Sequence, residues 1–132
     1  MTARFLTLEE VLFLHEDVIA HYGGSRGLRE IGLLESALAT PAATFGGHYL
    51  HDGLPHMASA YVFHIAKNHP FVDGNKRTAL AAGITFLGLN GLSLDADPDD
   101  TAEIVLGVAD GTVSTAALAV FFERHIRPRR VR

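Results

Sequence analysis

The sequence predicts an all-α fold, a single helical domain of about six helices over residues 1–132. Apolar residues recur at helical spacing through most of the chain, and no stretch alternates with period two as a half-buried strand does. Capping residues and Gly or Pro breakers divide the chain into segments of helical length. The most apolar window, residues 79–89, falls inside one of these segments. It indicates a central helix that is buried on most of its sides.

The first two helices are predicted from their capping and breaking residues. Thr7 followed by Glu10 is the pattern of a capping box, and apolar residues then recur until Gly23. A shorter helix is predicted over Ile31–Ala39, because Pro41 disfavours helical conformation in the residue before it.

The segment from residue 41 to residue 53 is predicted to be a long loop. It contains the turn-forming pair Gly46-Gly47 and the aromatic residues Phe45 and Tyr49. Compact domains seldom keep a loop of this length without a function. We therefore interpret this segment as a functional flap.

Four further helices fill the rest of the chain. The third and fourth are rich in apolar side chains and are predicted to be central. The sixth contributes the core candidates Leu118, Phe121, Phe122 and Ile126. The boundaries follow from breakers and caps: Pro55 and His69-Pro70 for the third helix, Asn75 and Asn90-Gly91 for the fourth, Asp97-Pro98 and Asp110-Gly111 for the fifth, and Ser114 for the sixth.

Composition narrows the classes of protein. Hydrophobic residues make up 48% of the chain, which excludes wholesale disorder, and the absence of cysteine removes disulfides and thiolate zinc sites. The formal net charge is −4, so no direct nucleic-acid binding is expected.

The N-terminus lacks the apolar core of a signal peptide and residues 79–89 are too few to cross a bilayer, so we expect a cytoplasmic protein without membrane association. We also expect a flexible basic tail over residues 126–132, which carries Arg127, Arg129, Arg130 and Arg132.

The most informative segment runs from His69 to Arg77, between the third and fourth helices. It combines a histidine, a carboxylate, a Gly-Asn turn and two cations within nine residues. The start of a helix presents free N–H groups and the positive end of the helix dipole, which suit an anion such as phosphate. Together these groups are the parts that phosphoryl or nucleotidyl transfer needs.

Each residue of this segment has a chemical role and a structural alternative. His69 can accept a proton from a hydroxyl nucleophile or cap the third helix. Asp73 can hold Mg²⁺ or act as an N-cap. Asn75 can donate to a phosphate oxygen or serve an ordinary turn. Lys76 and Arg77 oppose the helix dipole, and their placement makes more sense if an anion is bound. Gly74 permits positive φ or close approach of the backbone, and Phe71 is interpreted as the core anchor of the loop.

The remaining histidines give weaker signals. His48, His51 and His56 lie in or beside the flap, and surface positions are favoured over a metal cluster because no pair has helical ligand spacing. Solvent or capping positions are expected for His15, His21 and His125.

The segment resembles the signature of the Fic/Doc superfamily, His-x-Phe-x-(Asp/Glu)-Gly-Asn-x-Arg, and every fixed position of that signature is filled between His69 and Arg77. The resemblance covers most of the chain and is to the Doc (death-on-curing) branch, in residues 5–7, 22–24, 32–38, 45–47 and 68–79. AMP-transferring members usually carry Gly after the Asn and a second Arg three residues after the first. Lys76 and Leu80 occupy those positions here, as in the Doc variant.

The resemblance implies a Fic-type helical domain whose active-site loop precedes the central buried helix. It implies a toxin that binds ATP in the reverse orientation and transfers the γ-phosphate to a hydroxyl of a translation factor such as elongation factor Tu, which arrests translation. It also implies the site residues: His69 as the base, Asp73 as the Mg²⁺ ligand, Gly74, Asn75, Lys76 and Arg77 for the phosphates, and Thr44, Phe45, Gly46 and Gly47 of the flap for positioning the target.

The resemblance further implies a protein partner. Many Fic proteins carry an inhibitory helix with the pattern Ser/Thr-x-x-x-Glu followed by Gly or Asn, and this sequence has no such string. In the Doc branch, inhibition comes from a Phd-type antitoxin whose disordered C-terminal segment folds on the toxin.

Two alternatives remain beside the Doc-type kinase. A protein AMP-transferase uses the same scaffold, and Lys76 and Leu80 argue against it. A non-catalytic binding protein would keep only the fold, and the intact His69, Asp73 and Arg77 argue against that.

Overall fold

Six helices make up most of residues 3–129, the part of the chain that the computed structural model describes. The all-α prediction is therefore confirmed, with short strands added at two places. The helices are α1 (Leu8–Tyr22), α2 (Ile31–Ala39), α3 (Leu54–Asn68), α4 (Asn75–Leu89), α5 (Pro98–Asp110) and α6 (Thr115–His125). The strands are β1 (Thr44–Phe45), β2 (His48–Tyr49), β3 (Leu92–Leu94) and β4 (Ile126–Pro128).

Local capping residues set the helix boundaries that the sequence predicts. The capping box of α1 is complete, because the Thr7 hydroxyl accepts from the Glu10 N–H and the Glu10 carboxylate accepts from the Thr7 N–H. Asp97 caps α5 and Ser114 caps α6 through their side-chain oxygens. Gly23 ends α1, with its N–H donating to the Ile19 carbonyl.

Helices α3 and α4 form the centre of the core. Their axes approach closely because Gly83 of α4 has no side chain, and a Cβ atom there would lie 2.8 Å from Cγ2 of Val62. Tyr61 of α3 and Phe86 of α4 are fully buried, with ring centroids 5.1 Å apart. Helices α1, α2, α5 and α6 pack around this pair, which fixes the connection between α3 and α4 at the surface. Among residues 3–129, no helix combines the length and the apolar character that a bilayer crossing requires.

The flap is a short hairpin rather than an irregular loop. Strands β1 and β2 pair antiparallel, with Thr44 opposite Tyr49 and Phe45 opposite His48. Gly46 and Gly47 both have positive φ, which allows a two-residue turn between the strands. Strands of two residues are too short for alternation with period two to reveal them.

The expected flexible tail also differs from the structure. Residues 126–128 form β4, which pairs antiparallel with β3, so Ile126 belongs to a strand and not to α6. The Arg129 guanidinium donates to the Gly88 carbonyl at the end of α4. The pairing partner lies more than thirty residues earlier in the chain, so no local signal predicts this strand. Arg130 and Arg132 of the expected tail lie outside the described residues.

Candidate active site

The segment of residues 69–77, which we call the site loop, connects the end of α3 to the start of α4. His69 ends α3 in the left-handed region, with φ of 52°, and Gly74 precedes α4 with φ of 76°. Phe71 is 1% exposed, which confirms its predicted role as the core anchor. The anchor pulls the middle of the loop inward and leaves His69, Asp73, Lys76 and Arg77 exposed on its outer side.

Asn75 closes the loop on itself. Its side-chain oxygen accepts from the Phe71 N–H at 2.9 Å, and its side-chain amide donates to the Phe71 carbonyl at 2.9 Å. The residue is buried. Turn chemistry, the structural alternative of the sequence analysis, therefore accounts for the Asn75 side chain. At the first position of α4, its backbone N–H is one of the groups that a helix N-terminus leaves without an intrahelical acceptor.

Residues 23–30, which we call the strap, hold the site loop from outside. The Val72 N–H donates to the Gly27 carbonyl at 3.0 Å, and Leu28 forms an isolated antiparallel bridge with Phe71. The N–H groups of Arg29 and Glu30 both donate to the Pro70 carbonyl. The strap residues are themselves exposed, so backbone hydrogen bonds rather than buried side chains join the two segments.

The carboxylate of Asp73 is held in one orientation by backbone donors. Its Oδ2 accepts from the Ser25 N–H at 3.1 Å, and its Oδ1 accepts from the Gly74 N–H at 2.9 Å. These bonds, the Ser25 bond foremost, lower the pKa of Asp73 below its ordinary value. Gly24 permits the approach, since a Cβ atom there would lie 2.6 Å from Oδ2. The group is therefore an oriented anion at neutral pH.

His15 supports the loop from beneath, and its predicted solvent or capping position is wrong. The residue is 5% exposed, and its imidazole stacks on Phe71 with ring centroids 3.8 Å apart. Its Nε2 lies 2.8 Å from the Asp73 carbonyl oxygen. The sequence carried a signal for this burial, because residue 15 falls on the same helical face as Val11 and Val18.

The two cations of the site loop lie on the first turn of α4. The side chains of Lys76 and Arg77 are exposed. The Arg77 guanidinium lies 4.3 Å from the centre of the Tyr22 ring, a cation–π contact that orients it. Tyr22 lies at the end of α1 and carried no sequence signal for this role.

A cleft of about 410 Å³ opens beside the site loop. The loop supplies one wall through His69 and residues 73–77, and the other wall is apolar. Its volume falls within the range of small-molecule sites. The apolar wall consists of Leu80 from α4 and Ala102, Val105 and Leu106 from α5. Sequence reasoning missed the three α5 residues, because nothing local indicates that α5 packs beside the site loop.

The flap residues lie apart from this cleft. Thr44, Phe45, Gly46 and Gly47 are exposed, with Phe45 80% exposed, and none of them lines the cleft. The structure thus brings the loop residues of the predicted site together and leaves the flap as a separate surface.

Three histidines, His48, His51 and His56, lie in or beside the flap. Burial lowers the pKa of His51, and His56 nearby adds to the effect. Burial likewise lowers the pKa of His64 of α3, and His51 nearby adds to the effect. Between residues 3 and 129, no three His, Asp or Glu side chains lie close enough together to hold a metal ion.

The donor chemistry of the site loop suits Mg²⁺ of the kind that binds together with phosphate. Mg²⁺ usually keeps several waters and is bound through one or two carboxylates plus substrate phosphate oxygens. Asp73 supplies one exposed, ionised carboxylate at the edge of the cleft. This donor set fits an ion that a bound phosphate helps to hold, and not an ion held by protein ligands alone.

Comparisons with known proteins identify the family of the chain. A model of the Fic/DOC family matches residues 5–87, which include the strap, the flap and the site loop. Toxin Doc of Mycolicibacterium smegmatis is 48% identical over 83 residues, which span 62% of this chain and 64% of that protein. Protein kinase doc of Escherichia phage P1 is 32% identical over 116 residues, which span 88% of this chain and 90% of that protein.

Proposed function

This chain belongs to the Doc branch of the Fic/DOC family, and on that premise we propose that it is a Doc-type toxin with protein kinase activity. It transfers the γ-phosphate of ATP to a Ser or Thr hydroxyl of a translation factor, of which elongation factor Tu is the model, and translation stops. Residues 1–132 act as one domain in this reaction. The names of the relatives, a toxin and a protein kinase, support the proposal.

His69 is the general base of the proposed reaction. Its imidazole takes the proton of the target hydroxyl as the hydroxyl oxygen attacks the γ-phosphorus. A new O–P bond forms, the bond between the γ-phosphorus and the bridging oxygen breaks, and ADP leaves. The position of His69 at the mouth of the cleft, next to the N-terminus of α4, supports this role.

The phosphates bind at the N-terminus of α4. Free backbone N–H groups there, including that of Asn75, donate to phosphate oxygens, and Gly74 lets the backbone approach. Lys76 and Arg77 add two positive charges on the first turn. These fixed dipoles and charges stabilise the negative charge of the transferring phosphoryl group.

Asp73 is the protein ligand for Mg²⁺. The ion, when bound, neutralises charge on the phosphate oxygens. The Asp73 carboxylate is ionised, and the N–H groups of Ser25 and Gly74 hold it in one orientation, which supports this assignment.

The flap positions the target. Thr44, Phe45, Gly46 and Gly47 hold a target segment in an extended conformation by backbone pairing along the hairpin. The exposure of these residues and the short, open edge of the hairpin support the proposal.

One observation favours transfer of phosphate over transfer of AMP. Lys76 and Leu80 stand where AMP-transferring relatives carry Gly and a second Arg, and Leu80 contributes an apolar surface to the cleft. An apolar residue at that position cannot bind the outer phosphates of an ATP molecule oriented for AMP transfer. It does fit a nucleotide bound in the reverse orientation.

Labelled ATP tests the reaction directly. The purified chain is incubated with elongation factor Tu and ATP labelled on either the α- or the γ-phosphate. Kinase activity puts the γ-label on the target, with a mass gain of one phosphate. Transfer of the α-label instead would establish the AMP-transferase, and labelling by neither would favour a non-catalytic binding protein.

We further propose a Phd-type antitoxin as the partner that inhibits this chain in trans. Membership of the Doc branch supports this partner. We also propose that both proteins act in the cytoplasm and that the toxin binds neither membranes nor nucleic acid. Expression of the chain alone should arrest growth, with translation falling first. Healthy growth with abundant full-length protein would contradict the toxin assignment.

A further inference from the structure

The backbone of His69 has an unusual conformation. Its φ of 52° is the only positive φ of a non-glycine residue among residues 3–129. A side chain with a Cβ atom disfavours this left-handed region, and such residues persist only when their surroundings impose the conformation. The direction in which the imidazole leaves the backbone therefore depends on whatever holds the backbone there.

Arg29 of the strap binds three consecutive carbonyl groups around this residue. Its Nε donates to the His69 carbonyl at 2.9 Å, and its Nη2 donates to the Asn68 carbonyl at 3.1 Å. Its backbone N–H donates to the Pro70 carbonyl at 2.7 Å. The end of a helix leaves carbonyl groups without partners, and a cation there also complements the helix dipole.

Within residues 3–129, Arg29 is the only side chain whose hydrogen bonds reach both carbonyl groups that flank the His69 Cα. The Glu30 N–H adds a bond to the Pro70 carbonyl, further along the loop. The His69 N–H donates to the Ile65 carbonyl, which continues the pattern of α3 and fixes only the incoming chain. The guanidinium is planar, and its two donors fix the relative orientation of two neighbouring peptide groups. A single hydrogen bond would orient only one of these two peptide groups.

We infer that Arg29 is a positioning residue, which holds the His69 backbone in the left-handed conformation and so aims its imidazole at the cleft. The inference rests on the proposed role of His69 as the base. Arg29 itself does not line the cleft, so it acts through His69 and not on the nucleotide. It is also exposed, so its removal leaves no buried cavity.

Steady-state kinetics of the full chain with target and ATP provide the first test. Misplacing a catalytic group by about 1 Å can cost roughly 100-fold in rate, so we expect kcat of Arg29→Ala to fall about 10- to 100-fold. KM for ATP stays unchanged, because the phosphate contacts are intact. Arg29→Lys keeps one side-chain donor group, so its kcat should lie between those of the wild type and Arg29→Ala. Arg4→Ala is the matched control, because Arg4 also makes an exposed side-chain pair, with Glu10.

An NMR measurement on His69 separates this inference from the proposed function. The amide coupling constant and Cα chemical shift of His69 report its φ in the chain without substrates. Both should change in Arg29→Ala, return partly in Arg29→Lys and stay constant in Arg4→Ala. This measurement tests the position of His69 even if the wild-type chain transfers no phosphate. A chain that transfers no phosphate would contradict the proposed function and not the positioning of His69 by Arg29.

Several outcomes would overturn the inference. Unchanged His69 signals in folded Arg29→Ala exclude positioning, whatever happens to kcat. Changed signals with normal kcat in a chain that transfers phosphate show that the conformation does not matter to the reaction. A rise in KM for ATP equal to the fall in kcat would place Arg29 in nucleotide binding instead.

Discussion

The site loop and the flap both turn the chain at glycine residues with positive φ, but they are held in very different ways. The site loop is tied to the strap, to α1 and to its own Asn75 through hydrogen bonds of 2.7 to 3.2 Å. The flap hairpin pairs with itself, and its Leu50 N–H donates to the Ala43 carbonyl. Its Tyr49 ring lies 5.8 Å, centroid to centroid, from Phe5, which packs against the edge of the core.

The difference matches the demands of the two proposed tasks, catalysis by the site loop and target recognition by the flap. Chemistry requires donors and a base at fixed positions, because a preorganised site needs no rearrangement when charge develops. Recognition of an extended protein segment needs backbone edges and side chains that adjust to the partner. We therefore expect substitutions in the site loop to lower kcat, and substitutions in the flap to change target binding without changing kcat.

Removing His69, the proposed base, gives the largest expected effect. His69→Ala should lower kcat by roughly 10²–10⁴-fold, because a general base typically contributes that much. The melting temperature should change little, since the side chain is exposed. His56→Ala, at an exposed position on α3, is the control. Normal transfer by folded His69→Ala would show that the role is misassigned.

Alanine substitutions at two glycines of similar φ, one in each turn, allow a direct comparison of the packing around the two turns. Gly74→Ala and Gly47→Ala both force alanine into the left-handed region, at φ of 76° and 82°, at a cost of about 1–2 kcal/mol each. The new Cβ at Gly74 lies 3.1 Å from Cδ1 of Ile19, whereas the one at Gly47 meets nothing within 4 Å.

Urea unfolding should therefore show a larger loss of stability for Gly74→Ala, by about a further 1 kcal/mol, the lower end of the range for overpacking. Its kcat should also fall, while Gly47→Ala keeps its kcat. Equal losses of stability in the two variants would mean that the packing around the site loop can adjust, and would weaken the contrast.

Phe45 tests the flap side of the comparison. Phe45→Ala removes an aromatic side chain that is 80% exposed, so the free energy of unfolding should change by less than about 0.5 kcal/mol. An aromatic anchor at an interface contributes on the order of 1–2 kcal/mol, so KM for the target protein should rise about tenfold. KM for ATP should not move. A higher KM for ATP would mean that the flap also contacts the nucleotide.

The pH dependence of stability gives the smallest expected effect. The pKa of Asp73 lies below its ordinary value of 3.8, chiefly because the Ser25 N–H donates to it. A depressed pKa stabilises the fold above the unfolded-state pKa, and this stabilisation is lost as the pH falls through the folded-state pKa.

Asp73→Asn should therefore lose less stability than the wild type on acidification below the ordinary pKa of 3.8. Asp52→Asn, at an exposed position in the flap, should follow the wild-type curve. Urea denaturation at a series of pH values measures the difference. Parallel curves for Asp73→Asn and the wild type would contradict the bonding of this carboxylate in the folded state.

The sequence by itself determined the helices and the identity of the site loop. The capping box at Thr7, the caps at Asp97 and Ser114 and the break at His69-Pro70 act over a few residues, so their effect can be predicted locally. The signature from His69 to Arg77 is likewise contiguous, so it indicates the Fic/Doc family without reference to the fold.

Only the tertiary structure decided what holds and encloses that loop. His15 meets the Asp73 backbone 58 residues away, Ser25 meets the Asp73 carboxylate across 48, and Arg29 meets His69 across 40. The α5 wall of the cleft and the pairing of β3 with β4 are also contacts between distant parts of the chain. Caps and periodicity act within one element, whereas these contacts depend on how the helices pack, which no local pattern in a single sequence records.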